Sequence, residues 1–531
     1  MNKNNLSWQE KLNDLLQCDL KSLFPVAREL KRELYFFVGP TNSGKTYQAM
    51  QELMEADCGN YLAPLRLLAL ENYHYLQEND IPTSLITGEE ERIDEDAAHI
   101  CSTIEMVNFS QEVDVCVIDE IQMLEDPDRG WAWVNAIVGA PASKVIMTGS
   151  VNALEAIKKI ASYLEEGLKV VKFQRKNPLE VLPNPTSLNE LEKNTALIAF
   201  SRSEVLRLKS KLSKNHKVSV IYGNLSPEVR QEEARRFRDG ESDILVATDA
   251  IAMGLNLPIK TLLFTTHEKY DGISQRALTP NEIIQISGRA GRYGHHEAGF
   301  IGATNKKAHT HIKENFHSPL RTIKPPFAIK ATTDQILSLS EHLKSNDLKK
   351  ILNYFAKHMN FSGPFMATNI SSMIELSSLL DPMKDLSLKE KYMLAGAPVS
   401  TRSPLIKRAF LYYVSAIIKK EVVVYKSSIS TQKIAKTQLD LLKAEDEVKK
   451  ISLYLWLAYK FPDLFVDSKE AELARVRVNN YCEISLKSNS LLKAPQRKRR
   501  DDKDKRHHNN RKRDDRSKDS DKPKTRRRRR R

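Results

Sequence analysis

Gly39, Pro40, Thr41, Asn42, Ser43, Gly44, Lys45 and Thr46 have the residue types and spacing of a phosphate cradle. The two glycines let the backbone curl so that its N–H groups point into one concavity. A helix that follows adds its positive end. In that arrangement Lys45 reaches the outer phosphates and the Thr46 hydroxyl ligates Mg²⁺. A glycine turn beside a surface lysine would match the same pattern, so the flanks matter. Leu34–Val38 is a strand-like apolar run, and Tyr47–Met54 is a plausible helix without Pro or Gly.

Two other groups of residues supply what such a cradle needs. The apolar run Val115–Ile118 leads directly into Asp119, Glu120, Ile121 and Gln122. Ligands of open α/β sheets gather at the carboxyl ends of strands. There Asp119 can hold Mg²⁺ directly or through water, and Glu120 can orient and deprotonate an attacking water. Further on, "QISGRAGR" places Gln285, Arg289 and Arg292 within two helical turns. Arginines near a γ-phosphate neutralise charge that develops in the transition state. As solvated surface charges they would do nothing of the kind. The cradle and acids lie in one sheet-like block and the arginines in a second. A nucleotide bridging the two can close them on binding and release them on hydrolysis, which makes a motor.

The elements that must position these residues are short buried strands alternating with helices. Leu34–Val38, Val115–Ile118, Val145–Thr148, Leu197–Phe200, Val218–Tyr222, Ile244–Ala247 and Thr261–Phe264 are such runs. They predict parallel sheets with helices on both faces. The expected division is a short helical segment over 1–30, sheet domains over 31–170 and 171–310, a helical domain over 311–490 and a basic tail over 491–531. The proline-containing stretch 176–194 reads as the joint between the sheet domains. From about residue 330 apolar residues recur at three- and four-residue spacing, and Leu339 and Leu343 are expected in the core. The fold class is therefore α/β, with two parallel-sheet domains followed by an all-helical region and a disordered basic tail.

Of 531 residues, 83 are Lys or Arg and 68 Asp or Glu, for a net charge of +15. Residues 496–531 hold 20 of the basic and 7 of the acidic residues and no apolar one, so the tail carries nearly all the excess. Such a segment cannot bury a core and is suited to nucleic acid. No run approaches the length of a membrane helix. The opening residues lack an apolar signal segment, and Glu10, Asp14 and Asp19 argue against an organelle transit peptide. Cys18, Cys58, Cys101, Cys116 and Cys482 show no metal spacing and read as free thiols, so a cytoplasmic protein is expected.

The ordered set "GPTNSGKT", "APLRLLALEN", "ITGEE", "STIEM", "DEIQMLEDPDRGWAW", "TGS", "VIYGNLSPEVRQEEARRF", "ATDAIAMGLNL", "EKYDG" and "QISGRAGRYG" resembles a superfamily II DExH-type helicase. More narrowly it resembles the suppressor-of-Var type, the RNA helicase of the mitochondrial degradosome, in the form of a bacterial-type member. These words cover about residues 34 to 294, and "APVSTRSP" in the helical block is a weaker match. The resemblance implies two tandem RecA-like domains, ATP and Mg²⁺ as cofactors, and RNA as partner, single-stranded and duplex. It also raises an exoribonuclease as an open partner.

Position by position, the resemblance implies that Asp249 and Gly254, with Gln285, Arg289 and Arg292, complete the ATP site. Gln122, Thr148 and Ser150 would couple the nucleotide state to the domain interface. Pro64, Arg66 and Thr103 would contact the nucleic-acid backbone from the first domain, and Ser201, Arg202 and Thr248 from the second. Ala252 departs from the glycine usual in the family, and its methyl would stiffen a coupling loop. The implied activity is ATP-dependent unwinding of RNA or RNA/DNA duplexes, 3′ to 5′. A DNA helicase, and an RNA-binding remodelling or annealing factor that uses ATP only as a switch, remain open alternatives. A small-molecule P-loop kinase would not need a second sheet bearing "GRAGR".

Overall fold

A computed structural model describes residues 16–252, 255–271, 274–291 and 297–488. Arg292, Gly254, the first fifteen residues and the basic tail at 491–531 lie outside the described residues.

The first sheet has eight strands: β1 (Glu33–Val38), β2 (Gly59–Ala63), β3 (Thr83–Ile86), β4 (Glu91–Arg92), β5 (His99–Thr103), β6 (Val113–Ile118), β7 (Ala142–Gly149) and β8 (Leu168–Lys172). Their order is β4-β3-β5-β2-β6-β7-β1-β8, and every pairing is parallel except β3 with β4. Alternate residues of a strand point to opposite faces, so the sheet carries two cores. Leu34, Phe36 and Val38 join Cys116, Ile118, Val145 and Met147 on one face, together with Trp133 and Ile157 of the helices Gly130–Gly139 and Leu154–Leu164. Phe37, Val115, Val117 and Ile146 belong to the core of the other face. Helices α1 (Lys45–Met54) and α2 (Arg66–Glu78) supply Ala49, Met50, Leu53, Leu70 and Leu76 to that core. Each fully buried side chain of this size contributes roughly 1.5–3 kcal/mol.

The second sheet is wholly parallel: β9 (Leu179–Val181), β10 (Thr195–Ile198), β11 (Val218–Ile221), β12 (Ile244–Ala247), β13 (Thr261–Phe264) and β14 (Gly299–Ala303). The order is β9-β14-β13-β10-β12-β11. Two helices of this domain matter for the site, α3 (Pro227–Arg238) and α4 (Pro280–Ser287). Both begin with Pro in the first turn, after the capping residues Ser226 and Thr279. The stretch 176–194, read from sequence as a joint, itself contains β9.

The region after the second sheet is helical apart from short strand pairs such as Phe327–Ile329 with Phe365–Ala367. Helix Leu348–His358 shows why: Leu348, Ile351, Leu352 and Phe355 form one buried stripe at helical spacing. Leu339 is fully buried, and Leu343 packs partly buried on the same core. The last two helices, α5 (Gln438–Lys460) and α6 (Ser468–Lys487), pack on each other and on the second sheet domain. Thr437 and Asp440 form a capping box that starts α5. Among the described residues no helix is long and apolar enough to cross a membrane.

Candidate ATP site and nucleic-acid face

The cradle leaves the carboxyl end of β1 and opens α1. Gly44 sits at φ +88°, the left-handed region that glycine enters without strain. Gly39 is required for another reason: a Cβ there would lie 2.7 Å from the Phe173 carbonyl oxygen and 2.8 Å from Ser43 Oγ. Lys45 is buried and, among the described residues, pairs with no carboxylate and reaches only the Pro40 carbonyl at 3.4 Å. Ser43 Oγ and Arg289 Nε are buried without hydrogen-bond partners among the described residues. A cavity of about 450 Å³ lies over Thr41 to Thr46, bordered by Glu120 and Arg289. Unpaired donors and an uncompensated lysine around such a cavity suit a polyphosphate.

The two acids follow β6. Asp119 is buried, and Thr46 Oγ1 donates to its Oδ1 at 3.3 Å. The Tyr61 hydroxyl donates to Oδ2 at 2.9 Å, and Thr148 also donates to Oδ1. Burial, then the neighbouring Glu120, pushes this carboxyl up from the ordinary range. A buried carboxylate beside a threonine hydroxyl is the oxygen donor set that Mg²⁺ takes. Glu120 adopts φ +55°, a strained conformation for a non-glycine residue. Gln122 Nε2 donates to Glu120, and Gln122 Oε1 accepts from the Ser150 amide at 3.2 Å. Thus Gln122, Thr148 and Ser150 connect the acids to β7 and the loop after it.

The second domain closes the cleft. Arg289 Nη2 lies 3.8 Å from Glu120 Oε1 and donates to the Ala252 carbonyl. Burial draws its pKa down. Gln285 lines a larger cavity, about 1030 Å³, with Gly39, Pro40, Thr41, Lys45 and Glu120. Asn42 Nδ2 donates across the domains to the Gly288 carbonyl at 2.9 Å. Asp249 is not brought into this cleft; it pairs with Lys269 at 2.8 Å.

Sequence reasoning missed Arg175, which lies between the two sheets. Its guanidinium donates to carbonyls on both sides of the cleft: Thr41 at 3.0 Å, Gly288 at 2.9 Å, Gly291 at 3.0 Å, and Ala290. Burial draws its pKa down to about 10. The only sequence signal was a lone arginine beside the proline-containing stretch.

The expected nucleic-acid residues lie at or just beyond the carboxyl ends of parallel strands: Pro64 after β2, Thr103 at the end of β5, Ser201 after β10 and Thr248 after β12. Pro64 and Thr248 are buried, and the Thr248 hydroxyl accepts from the Ala250 amide at 3.2 Å. Ser201 caps the helix Arg202–Leu212. The two arginines are committed to carboxylates. Arg66 meets Glu89 at 2.8 Å, Glu90 at 2.7 Å and, across the domains, Glu228 at 3.1 Å. Arg202 donates to Glu445 of α5, which also accepts from the Tyr222 hydroxyl at 2.7 Å. Ser452 of α5 donates to Glu89, and Asn479 of α6 to Glu228. The last two helices therefore sit against both arginines. Glu89, Glu228 and Glu445 were not foreseen: the words "ITGEE" and "VIYGNLSPEVRQEEARRF" contain the first two but give them no partner, and Glu445 lies in no such word.

Four family models match the chain: the DEXQ-box helicase domain of Suv3 over residues 21–173, the helicase conserved C-terminal domain over 179–294, Suv3 C-terminal domain 1 over 375–417, and the ATP-dependent RNA helicase SUV3 C-terminal domain over 441–488. Among curated relatives, the mitochondrial ATP-dependent RNA helicase SUV3 of Saccharomyces cerevisiae is 34% identical over 499 residues, covering 89% of this chain and 67% of that one. The mitochondrial DExH-box ATP-dependent RNA helicase DExH16 of Arabidopsis thaliana is 32% identical, covering 88% and 83%. The mitochondrial SUV3 of Oryza sativa subsp. japonica is 33% identical, covering 87% and 82%. These names correct the expectation of a cytoplasmic protein, because each relative is named as mitochondrial. Free thiols report only a reducing surrounding and do not single out the cytoplasm. With two parallel-sheet domains, the phosphate cradle, "DEIQ" and the matching helical region in family order, the chain belongs to the Suv3 family of ATP-dependent RNA helicases.

Proposed function

We propose that this protein is an ATP-driven motor that advances 3′ to 5′ along RNA and unwinds RNA or RNA/DNA duplexes in RNA turnover, acting with an exoribonuclease. The observation that supports this best is the meeting of Glu120 from the first domain with Arg289 from the second beside one phosphate cradle. In this reading the cradle amides and Lys45 bind the triphosphate. Thr46 and Asp119 hold Mg²⁺, which supplies charge neutralisation at the phosphates. Glu120 takes the proton of the attacking water, and Arg289 meets the charge that develops in the transition state. Gln122 and Ser150 carry the change from the acids to β7. On the nucleic-acid face, RNA phosphates compete with Glu228 for Arg66, while Thr103 and Ser201 give sequence-independent contacts. The basic tail acts as an electrostatic tether.

The test is unwinding of matched RNA, DNA and hybrid duplexes bearing either overhang, with ATP and Mg²⁺. RNA or hybrid strands separating from a 3′ overhang is the expected outcome. Equal unwinding of matched DNA would turn the assignment to a DNA helicase. RNA-stimulated hydrolysis without strand separation would leave a remodelling factor.

A further inference from the structure

The cleft has a cradle for phosphates, and none of the roles above gives the nucleobase a place. Beyond Thr46, Glu120 and Arg289 the phosphate cavity continues into a second one of about 530 Å³, which shares those residues and runs between α1, α2 and α3. A triphosphate anchored at Lys45 must lead its ribose and base out of the cradle, and this channel is contiguous with it.

Its walls have the chemistry of a stacking site. From the first domain come Tyr47, which is 63% exposed, His74 and Tyr75. The Tyr75 hydroxyl accepts from Gln51 Nε2 at 3.1 Å, which fixes the ring direction. From the second domain comes Arg238, in the last turn of α3. Arg235 and Arg236 beside it are held by carboxylates, Arg235 by Glu232 and Asp239 and Arg236 by Glu233. Arg238 has no hydrogen bond or ion pair among the described residues, and it lines the same channel as Tyr47, His74 and Tyr75 from the other domain. A planar cation opposite an aromatic ring, with a gap between them, accepts a flat ring system on both faces. The larger cavity on the other side of the cradle offers no such pair. Its aromatic residue, Phe173, is packed against Phe37 with centroids 5.3 Å apart.

We infer that Tyr75 and Arg238 form the nucleobase platform of the ATP site, the ring of one and the guanidinium of the other stacking on opposite faces of the base. This rests on the reading of the cradle as an ATP site. It also gives the second domain a hold on the nucleotide that is separate from its hold on the phosphates.

The test is calorimetric titration of the full chain with a non-hydrolysable ATP analogue and Mg²⁺, and in parallel with inorganic tripolyphosphate. Arg238→Ala and Tyr75→Ala should each weaken the analogue by about 5- to 100-fold, the range of a lost base stack. Tripolyphosphate should bind both variants as it binds the parent, and Tyr75→Phe should hold the analogue within about two-fold of it, since the ring face remains. Lys45→Ala should weaken both ligands. If the parent binds neither ligand, the ATP-site reading itself falls. If the parent binds both, and Arg238→Ala and Tyr75→Ala hold the analogue with parental affinity, the platform is overturned and the ATP site stands. Loss of tripolyphosphate binding in Arg238→Ala would equally overturn it, by making that residue a phosphate ligand.

Discussion

Replacing Glu445 with alanine isolates the joint between α5 and the second sheet domain. The side chain is 1% exposed and accepts from Arg202 Nε at 2.8 Å, Arg202 Nη2 at 2.9 Å and the Tyr222 hydroxyl at 2.7 Å. Truncation leaves a guanidinium that is only 18% exposed without a counter-charge, and a buried phenol without an acceptor. Arg202 keeps one hydrogen bond, to the Gln438 carbonyl at 3.2 Å. Breaking a buried pair from one side costs about 3–5 kcal/mol, and the partial access of Arg202 to water places this case near ~3 kcal/mol. Hydrogen exchange of the amides in Gln438–Lys460 reads the local opening directly, and ~3 kcal/mol corresponds to exchange faster by roughly 150-fold. Glu445→Gln keeps an acceptor for Tyr222 and should cost less. Arg202→Met combined with Glu445→Leu removes both charges and should recover much of the loss, because paired buried charges exchange for apolar residues at little cost. Parental exchange rates in Glu445→Ala, or a double variant no better protected than the single one, would refute the reasoning.

Three other expectations follow from named contacts. Arg289→Ala should bind ATP and RNA yet hydrolyse slowly, by about a hundredfold or more in kcat, since such a group acts mainly in the transition state; an unchanged kcat would return Arg289 to a structural role. Glu282 is set at about 2: burial works to raise it, but the Arg276 guanidinium, the Thr279 amide and the Lys269 ammonium outweigh that. A lowered folded value gives stability that is full above the unfolded carboxyl value, near ~4.3, and is lost as pH falls toward the folded one. The melting-temperature gap between parent and Glu282→Gln should therefore be constant at neutral pH and close below about pH 4; a gap that persists into acid would count against the network. Deleting residues 496–531 should leave RNA-free hydrolysis unchanged, weaken RNA binding, and flatten the log–log salt slope by about 0.7 for each single-strand phosphate that the tail had neutralised; parental affinity and slope at low salt would remove the tether.

Six of the seven strands expected from apolar runs are strands, and the seventh, expected at Leu197–Phe200, lies two residues earlier at Thr195–Ile198, because a parallel strand covered on both faces reads as a continuous apolar word. Strands β2, β3 and β5 escaped that test. They bury Asn60, Thr83, Ser84, His99 and Ser102, polar residues that break the word. Some have partners supplied by distant chain, as His99 Nε2 has in the Leu53 carbonyl at 3.0 Å. Exposed β8, at the sheet edge, has no apolar run to announce it. In the site, the cradle and the acids were legible because their spacing is local. What Arg66 and Arg202 touch was not, since Glu228 and Glu445 reach them through the packing of α3 and α5, and neither the word around 228 nor the helix around 445 says which distant arginine its acid meets.

Arg175 gives the cleft a particular mechanical character. All its acceptors are backbone carbonyls: Asn177 beside it, Thr41 on the cradle, and Gly288, Ala290 and Gly291 on the turn after α4. Carbonyls persist through every side-chain replacement at those positions, so this fastening tolerates sequence drift in everything but the arginine itself. A planar fork cannot follow two surfaces that separate; it must leave one of them, and its bonds to that side end together. Separation of the two halves therefore breaks either the Thr41 bond or the three bonds to Gly288, Ala290 and Gly291.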